Sequence, residues 1–554
     1  MNQEAVAVRP EWGPRSQWNL LAQLDQRLRE RPEEIFLEIR GGRRLSFREA
    51  GERATAIAEQ LAGLGVGPGD HVASLCETSM ESALTYVAAK VGCLVDVPLN
   101  PAYRGRSLVH AINLSRAEVM FVDAELLDRV GNIADDLPGL RQLVVIGRSE
   151  AAVTRLPSVP ITEASAPWSF GVTVLDRDLS SVLLTSGTTG PAKGVMMSHA
   201  HTYTVARECL HGLRMTADDV LYCCHPLFHM AGRLGAIFAA AICGARVVLD
   251  TKFDPAVWTD RIREAAATLT IAHGPMIEAV FGQPAREDDA RIPLRAVLSA
   301  PLPAAIAEAF ERRFDLRGVE TWGMTEASVP VWRPYDAPLR PGASGLPLDD
   351  LFEVTIVDPE TDLPVRDGAV GEITVRPKVP WVMMLGYLGQ PDKTLEAWRN
   401  LRFHTGDAGY IDDQGWLRFV DRLGDRIRRK AENISSYDIE VAASSHPAVV
   451  ECVAIGVSSE DDSEDEIKLC VVLDPGVPLE FSALFEHLVR ELPHHMVPRY
   501  YEAFDELPKT PTSKVRRAEL RKAGRSPGTW DYRSDGLSIR RTAEGRTAEP
   551  EGRR

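Results

Sequence analysis

The sequence predicts an α/β protein. It reads as a large N-terminal domain of parallel sheets flanked by helices, carrying a small β-barrel-like part, then a small α+β C-terminal domain. Three observations predict it. Up to about residue 340, short apolar strand-like runs alternate with helix-like segments, the rhythm of a mainly parallel sheet with helices on its faces. After that point the strand candidates are short and punctuated by Gly, Pro and Asp. Beyond residue 422 the pattern resets into a compact unit of about 100 residues.

In chain order, residues 48–64 have helical spacing and stop at Gly65. Residues 71–75 form a short apolar strand, 80–93 a helix and 94–99 the next strand. Further buried strands are expected at 117–122, 142–146, 181–185, 247–250, 270–273 and 296–299. The β-rich part is expected at 352–358, 371–376, 409–411 and 416–419. In the last unit, 439–445 and 481–492 read as helices and 449–457 and 468–474 as strands. The domains are therefore 1–421 and 422–525. Residues 526–554, rich in Arg, Glu, Gly and Thr with few apolar residues after Trp530 and Tyr532, are expected to be a disordered tail.

Composition bounds the function. A chain of 554 residues holds more than one domain and can bury a core without staples. With 63 Lys and Arg against 79 Asp and Glu, the net charge of −16 argues against a nucleic-acid partner. It leaves room for an anionic ligand at a locally positive site. The eight cysteines include no Cys-x-x-Cys pair, so they read as small buried hydrophobes rather than a zinc or redox site. The most apolar stretch, 234–249, is bracketed and broken by Arg233 and Arg246 and falls short of the ~20 residues of a membrane span. The N-terminus lacks a signal peptide's apolar run. No integral membrane association is expected, and the address is cytoplasmic. The sequence leaves a homodimer open.

The densest chemical signal is Thr185-Ser186-Gly187-Thr188-Thr189-Gly190-Pro191-Ala192-Lys193-Gly194, directly after the strand at 181–184. Small residues let backbone N–H groups close around phosphate oxygens, the hydroxyls add donors, and Lys193 adds charge. A Walker A loop would end in Gly-Lys-Ser/Thr, and this one does not. The loop resembles the phosphate-loop signature of the adenylate-forming superfamily of acyl-CoA synthetases, peptide-synthetase adenylation domains and beetle luciferases. The resemblance runs from about residue 20 to residue 525, with further motifs in the family's order.

Trp322-Gly323-Met324-Thr325-Glu326 is similar to the family's aromatic-Gly-x-Thr-Glu segment. The resemblance gives Thr325 a contact with the α-phosphate, Glu326 the Mg²⁺, and Trp322 a flat face near adenine, where the family usually has Tyr. Ser299-Ala300-Pro301 resembles the adenine-side stretch, with Ser299 where Gly is frequent. In His404-Thr405-Gly406-Asp407 the resemblance assigns the ribose hydroxyls to Asp407. In Asp421-Arg422-Leu423-Gly424-Asp425 it makes Arg422 a ribose ligand and Asp425 the pivot of a mobile C-terminal domain. Pro508-Lys509-Thr510-Pro511-Thr512-Ser513-Lys514 looks like the loop of the catalytic lysine, here Lys514. Composition alone would make Glu326 and Lys514 surface charges, Asp407 a turn cap and 421–426 a charged linker.

The resemblance implies a two-step ligase. A carboxylic acid attacks ATP, with Mg²⁺ bound, to give an acyl-adenylate, and the thiol of coenzyme A then takes the acyl group. Catalysis would rest on Lys514, Glu326 and Thr325. The family's CoA ligases often show Gly-Gly-Glu-Asn along the thiol channel, and here Lys430-Ala431-Glu432-Asn433 stands in its place. That departure leaves loading of a carrier-protein thiol as an alternative, and a nucleotide-binding pseudoenzyme as another. His229, in Phe228-His229-Met230-Ala231-Gly232, falls at one end of the family's acyl pocket, where amino-acid-activating members tend to carry Asp. An alkyl or aryl acid is expected, and segments 380–387 and 466–474 look closest to carnitine/crotonobetaine-type ligases.

Overall fold

The structure is a computed structural model. It describes residues 12–148, 156–169, 174–185, 192–423, 427–429, 432–434, 436–458, 465–492, 496–509, 515–542 and 545–550. The chain divides into two compact units. The larger comprises residues 1–355, 374–405 and 411–418, and the smaller 356–373, 406–410 and 419–554. The smaller unit thus takes in two stretches that lie before the boundary expected at 421/422.

The larger unit holds two sheets. One has the strand order Gly386–Tyr387, Lys193–Ser198, Leu179–Thr185, Val95–Leu99, His71–Leu75, Val119–Asp123, Gln142–Ile146, Ser158–Pro160. The other runs Leu346–Pro347, Ser328–Trp332, Arg317–Met324, Ala296–Ser299, Leu269–Ile271, Val220–Cys223, Arg246–Leu249, Ile35–Ile39, Arg44–Ser46. The interior pairs of both are parallel. Val95–Leu99 is buried along its whole length, as a parallel strand covered on both faces must be. Antiparallel pairing is confined to sheet ends: 193–198 against 179–185 and 386–387 in one, 317–332 and its neighbours in the other, and the hairpin at 35–46.

Helices Met80–Val91 and His199–Leu213 pack against strands of both sheets, which explains why nearly every side chain on them is buried. Each starts at a serine, Ser79 or Ser198, whose hydroxyl accepts from an orphan N–H of the first turn. Phe47–Gly63 begins with a full capping box between Ser46 and Glu49. The stretch Ala231–Phe238 is a π-helix rather than the α-helix its apolar composition suggests.

The β-rich stretch appears as four strands, Phe352–Val357, Gly371–Pro377, Phe403–Ile411 and Leu417–Arg422, and the boundary between the units passes through them. In the smaller unit, helices Ser436–Ser444 and Phe481–Glu491 accompany strands Val449–Ser458, Asp465–Leu473 and Tyr500–Ala503 around a core that includes Leu469, Leu484, Phe485 and Leu488. The expectation of a disordered tail is corrected for its described residues. Trp530–Asp531 adds an antiparallel strand to Tyr500–Ala503, and Leu537–Thr542 pairs with Gly545–Pro550. The physical reason is aromatic: Trp530 packs 5.3 Å from Tyr501 and Tyr532 stacks 4.5 Å from Phe485, ring centre to ring centre.

Candidate active site

The phosphate-loop candidate closes a hairpin. Thr185 ends one strand, Lys193 begins the next, and the two are register partners. Ser186, Gly187, Thr188, Thr189 and Gly190 lie outside the described residues. At the far end of the loop, the Ala192 carbonyl lies 2.9 Å from His110 Nε2. Gly194 is required by space, because a Cβ there would come within 2.9 Å of Val182 Cγ1.

Lys193 and Glu326 are brought to one residue. Tyr387 is held beside the loop hairpin by its strand pairing with Val195. The Lys193 ammonium lies over the Tyr387 ring, 4.6 Å from its centre, a cation–π contact. On its other side the Tyr387 hydroxyl donates to Glu326 Oε1 at 3.1 Å. The Glu326 side of the site is also fixed through backbone, since Met384 N–H donates to the Glu326 carbonyl at 3.0 Å. Glu326 is 6% exposed, so the surface carboxylate that composition would suggest is in fact a buried one.

The turn that carries Thr325 and Glu326 connects two antiparallel strands, Arg317–Met324 and Ser328–Trp332. It is tight. A Cβ on Gly323 would sit 2.4 Å from the Ser328 carbonyl oxygen, and Ser328 itself has φ +64°. Trp322 is buried on the strand opposite Val331. Ser299 ends the neighbouring parallel strand, its register partner being Glu320, so Ser299-Ala300-Pro301 and Trp322-Gly323 leave adjacent strands. The Ser299 hydroxyl donates to the Pro301 carbonyl, which fixes that turn. Burial pushes the Glu320 carboxyl up to about 8.

In the smaller unit, Arg422 and Asp407 form an ion pair, Nε to Oδ1 2.7 Å, with Asp407 buried. Gly406 has φ +68° and donates its N–H to Glu372 at 3.0 Å, which sets the backbone just before Asp407. Glu432 lies on a strand whose backbone pairs with Arg429. Asp425, Lys430, Ala431 and Lys514 lie outside the described residues.

His229 precedes the π-helix and stands edge-on to His273 at 5.7 Å; His273 in turn lies 4.4 Å from His225. Burial pushes His225 down to about 4, with its Nε2 at 3.1 Å from the Ile271 carbonyl, so it is neutral at pH 7. Sequence reasoning missed Tyr387, Glu372 and His273 as site residues. The Gly386-Tyr387 pair was visible in the 380–387 segment, but only strand pairing shows what it touches.

The chain matches known proteins over most of its length. A family described as AMP-binding enzyme matches residues 24–388, and its companion, AMP-binding enzyme C-terminal domain, matches residues 438–514. The chain is 30% identical to a feruloyl-CoA synthase of Amycolatopsis sp. over 87% of this chain and 94% of that one. It is 28% identical to a crotonobetaine/carnitine–CoA ligase of Salmonella typhi over 86% of this chain and 93% of that one. Among solved structures, ATP-bound MatB from Rhodopseudomonas palustris superposes with a TM-score of 0.81 at 27% identity, covering 91% of this chain and 98% of that one.

Proposed function

The chain belongs to the AMP-binding enzyme family, and from that premise we propose that Lys193, Thr325, Glu326, Tyr387 and Lys514 carry its acid-activating step. The activity is that of an AMP-forming acyl-CoA ligase, with ATP, coenzyme A and a carboxylic acid as substrates. The observation that supports the residue roles most directly is the contact path Lys193–Tyr387–Glu326, which ties the phosphate-loop motif to the Thr-Glu motif in one place.

The substrate carboxylate attacks the α-phosphorus and expels pyrophosphate. Two anions must approach, so neutralising charge is the main task. Lys193 and the hydroxyls of Ser186, Thr188 and Thr189 serve the phosphates, Thr325 the α-phosphate, and Lys514 both the α-phosphate and the incoming carboxylate. Glu326 fits Mg²⁺: it is a hard oxygen donor, and Mg²⁺ is commonly held by one or two carboxylates together with substrate phosphates. Among the described residues no group of three or more acidic, histidine or cysteine side chains gathers to hold a metal, so Glu326 would share the ion with ATP rather than complete a protein cage. When bound, the ion would neutralise phosphate charge. The Tyr387 hydroxyl orients the Glu326 carboxylate for that purpose.

Adenine lies along Trp322 and the 299–301 turn. Asp407 accepts from the ribose hydroxyls, with Arg422 beside it aiming its carboxylate. In the second half-reaction the thiol of coenzyme A attacks the acyl carbonyl and AMP leaves. Rotation at Asp425 removes Lys514 and opens a channel past Lys430, Ala431 and Glu432. His229 borders the acid. With His229 where amino-acid-activating members tend to carry Asp, and the small apolar stretch 234–241 beyond it, we read the site as suited to an alkyl or aryl acid. The eight cysteines are all free, in keeping with a reducing cytoplasm.

The test is pyrophosphate release across a panel of alkyl, aryl and amino acids, with and without coenzyme A. The expected result is acid-dependent AMP formation with thioester appearing only when coenzyme A is present; ATP left intact with every acid would defeat the reading. Lys514→Ala should lose about 10²–10³ in adenylation rate while still binding ATP.

A further inference from the structure

A buried ion pair in the larger unit belongs to none of the motifs. Arg233 and Asp96 are both 2% exposed, and Arg233 Nη1 reaches Asp96 Oδ1 at 2.7 Å and Oδ2 at 2.8 Å. Arg233 Nη2 donates to Ser74 Oγ at 3.0 Å, and its Nε donates to the Leu227 carbonyl. The guanidinium carbon Cζ lies over the Tyr86 ring, 5.0 Å from its centre. Arg233 also belongs to the turn it holds, for its own N–H donates to the His229 carbonyl at 3.3 Å. That turn has no slack: a Cβ on Gly232 would come within 2.9 Å of the Pro226 carbonyl oxygen and 3.1 Å of that of His225.

The other end of this cluster reaches the phosphate-loop hairpin. Asp96 lies on Val95–Leu99, with Ser181 of Leu179–Thr185 as its register partner. Lys90, 3% exposed, donates from Nζ to the Ser180 carbonyl at 2.5 Å and to Ser181 Oγ at 2.9 Å. Burial pushes Lys90 down to about 8, so it is still largely a cation at neutral pH and shares the Asp96 charge with Arg233, which alone bonds that carboxylate directly. Leu179–Thr185 leads directly into residues 186–190.

A buried ion pair is a poor device for stability alone. Well-packed apolar residues of similar volume often do as well or better, because two charges must be stripped of water. What the guanidinium supplies is direction: its rigid plane sends Nη1 to Asp96, Nη2 to Ser74 and Nε to the Leu227 carbonyl, holding three partners in one geometry. We propose that Arg233 is a positioning residue for acid selection: by tying Asp96, Ser74 and the Leu227 carbonyl through three different nitrogens of one plane, it fixes the height of the His229 turn above the strand that delivers the phosphate loop. The acid's tail meets His229 while its carboxylate must arrive at the α-phosphate, so that height sets which acids reach a reactive placement. The inference rests on His229 bordering the acid.

The test uses the full-length enzyme and acid-dependent pyrophosphate release over straight-chain acids of increasing length and a set of aryl acids. Arg233→Lys keeps the charge and loses the planar hold on three partners. It should raise KM for the preferred acid about 10-fold or more and reorder the acid ranking, with KM for ATP within about 2-fold of wild type. The double variant Asp96→Asn with Arg233→Gln removes both partners of the ion pair and leaves Lys90 as the one buried cation of the cluster; its folded form should still show the altered ranking. Ser74→Ala, which removes a single hydrogen bond from the guanidinium, should shift the ranking in the same direction by less, and it decides the question if the other two do not fold. Folded variants with the wild-type ranking and acid KM would overturn the proposal. His229→Ala separates the two ideas. If it leaves the ranking unchanged, the placement of the acid beside His229 fails. If it changes the ranking while the Arg233, Asp96 and Ser74 variants do not, only the positioning role fails.

Discussion

Tyr387 meets Lys193 with the face of its ring and Glu326 with its hydroxyl, so removing one oxygen atom separates two roles. Tyr387→Phe keeps the ring under Lys193 and frees Glu326 of one hydrogen bond. A hydrogen bond to a charged group contributes roughly 1.5–3 kcal/mol, so adenylation should slow about 10-fold or somewhat more. Glu326→Gln removes the hard anionic ligand itself and should cost about 10²–10³. The order of the two losses, read from pyrophosphate release at saturating ATP, is the check; equal rates for wild type and Tyr387→Phe would remove Tyr387 from the site. Glu326 and Asp407 were legible in the sequence because each stands in a short motif with a chemical reason for its residue types. Tyr387, His273 and Arg233 were not, since what qualifies them is a partner far away in the chain, and single-residue chemistry carries no trace of that partner.

Among the elements, parallel strands were the legible ones. The runs expected at 71–75, 94–99, 117–122 and 142–146 are mostly apolar because both faces of those strands are covered, and strands His71–Leu75, Val95–Leu99, Val119–Asp123 and Gln142–Ile146 stand there. Arg317–Met324 escaped notice. Its Arg, Gly, Glu and Thr look like a loop, yet it is mostly buried, because the sheet neighbours on both sides and the tight turn at Gly323 hold it there. The end of the chain escaped for the opposite reason: overall polarity hid two aromatic residues that dock. Trp530 packs 5.3 Å from Tyr501 and 6.0 Å from Phe481, and Arg499 pairs with Asp531 at 2.9 Å beside it. Trp530→Ala should therefore destabilise the smaller unit by about 3 kcal/mol, near the low end for a large aromatic truncation because the side chain is only half-buried. Calorimetry on the full chain should show one transition moving to lower temperature, and an unmoved thermogram would mean that the strand at 530–531 contributes nothing to the unit.

For the molecule as a whole, buried ionisable groups give stability a pH dependence that net charge does not foretell. His199 and His201 are pushed down to about 3 and His225 to about 4, all chiefly by burial. Their folded forms refuse a proton that the unfolded chain accepts near its ordinary value of about 6.5, so the stability they allow is lost as pH falls below that value. Glu320 acts in the other direction. Burial raises it to about 8 against an ordinary 4.5. Between those values the folded protein keeps a proton that the unfolded chain has released, so stability is lost as pH rises from about 4.5 to about 8 and is flat above. Glu320→Gln removes this titration while keeping the shape of the side chain. The difference in stability between the variant and wild type should therefore move in favour of the variant across that window, by roughly 1 kcal/mol per pH unit, and level off beyond pH 8. Denaturant unfolding of both proteins at matched ionic strength from acid to alkaline pH measures it. Parallel curves would mean that Glu320 is ionised in the folded state, and its place one strand from Ser299 would then need a compensating cation.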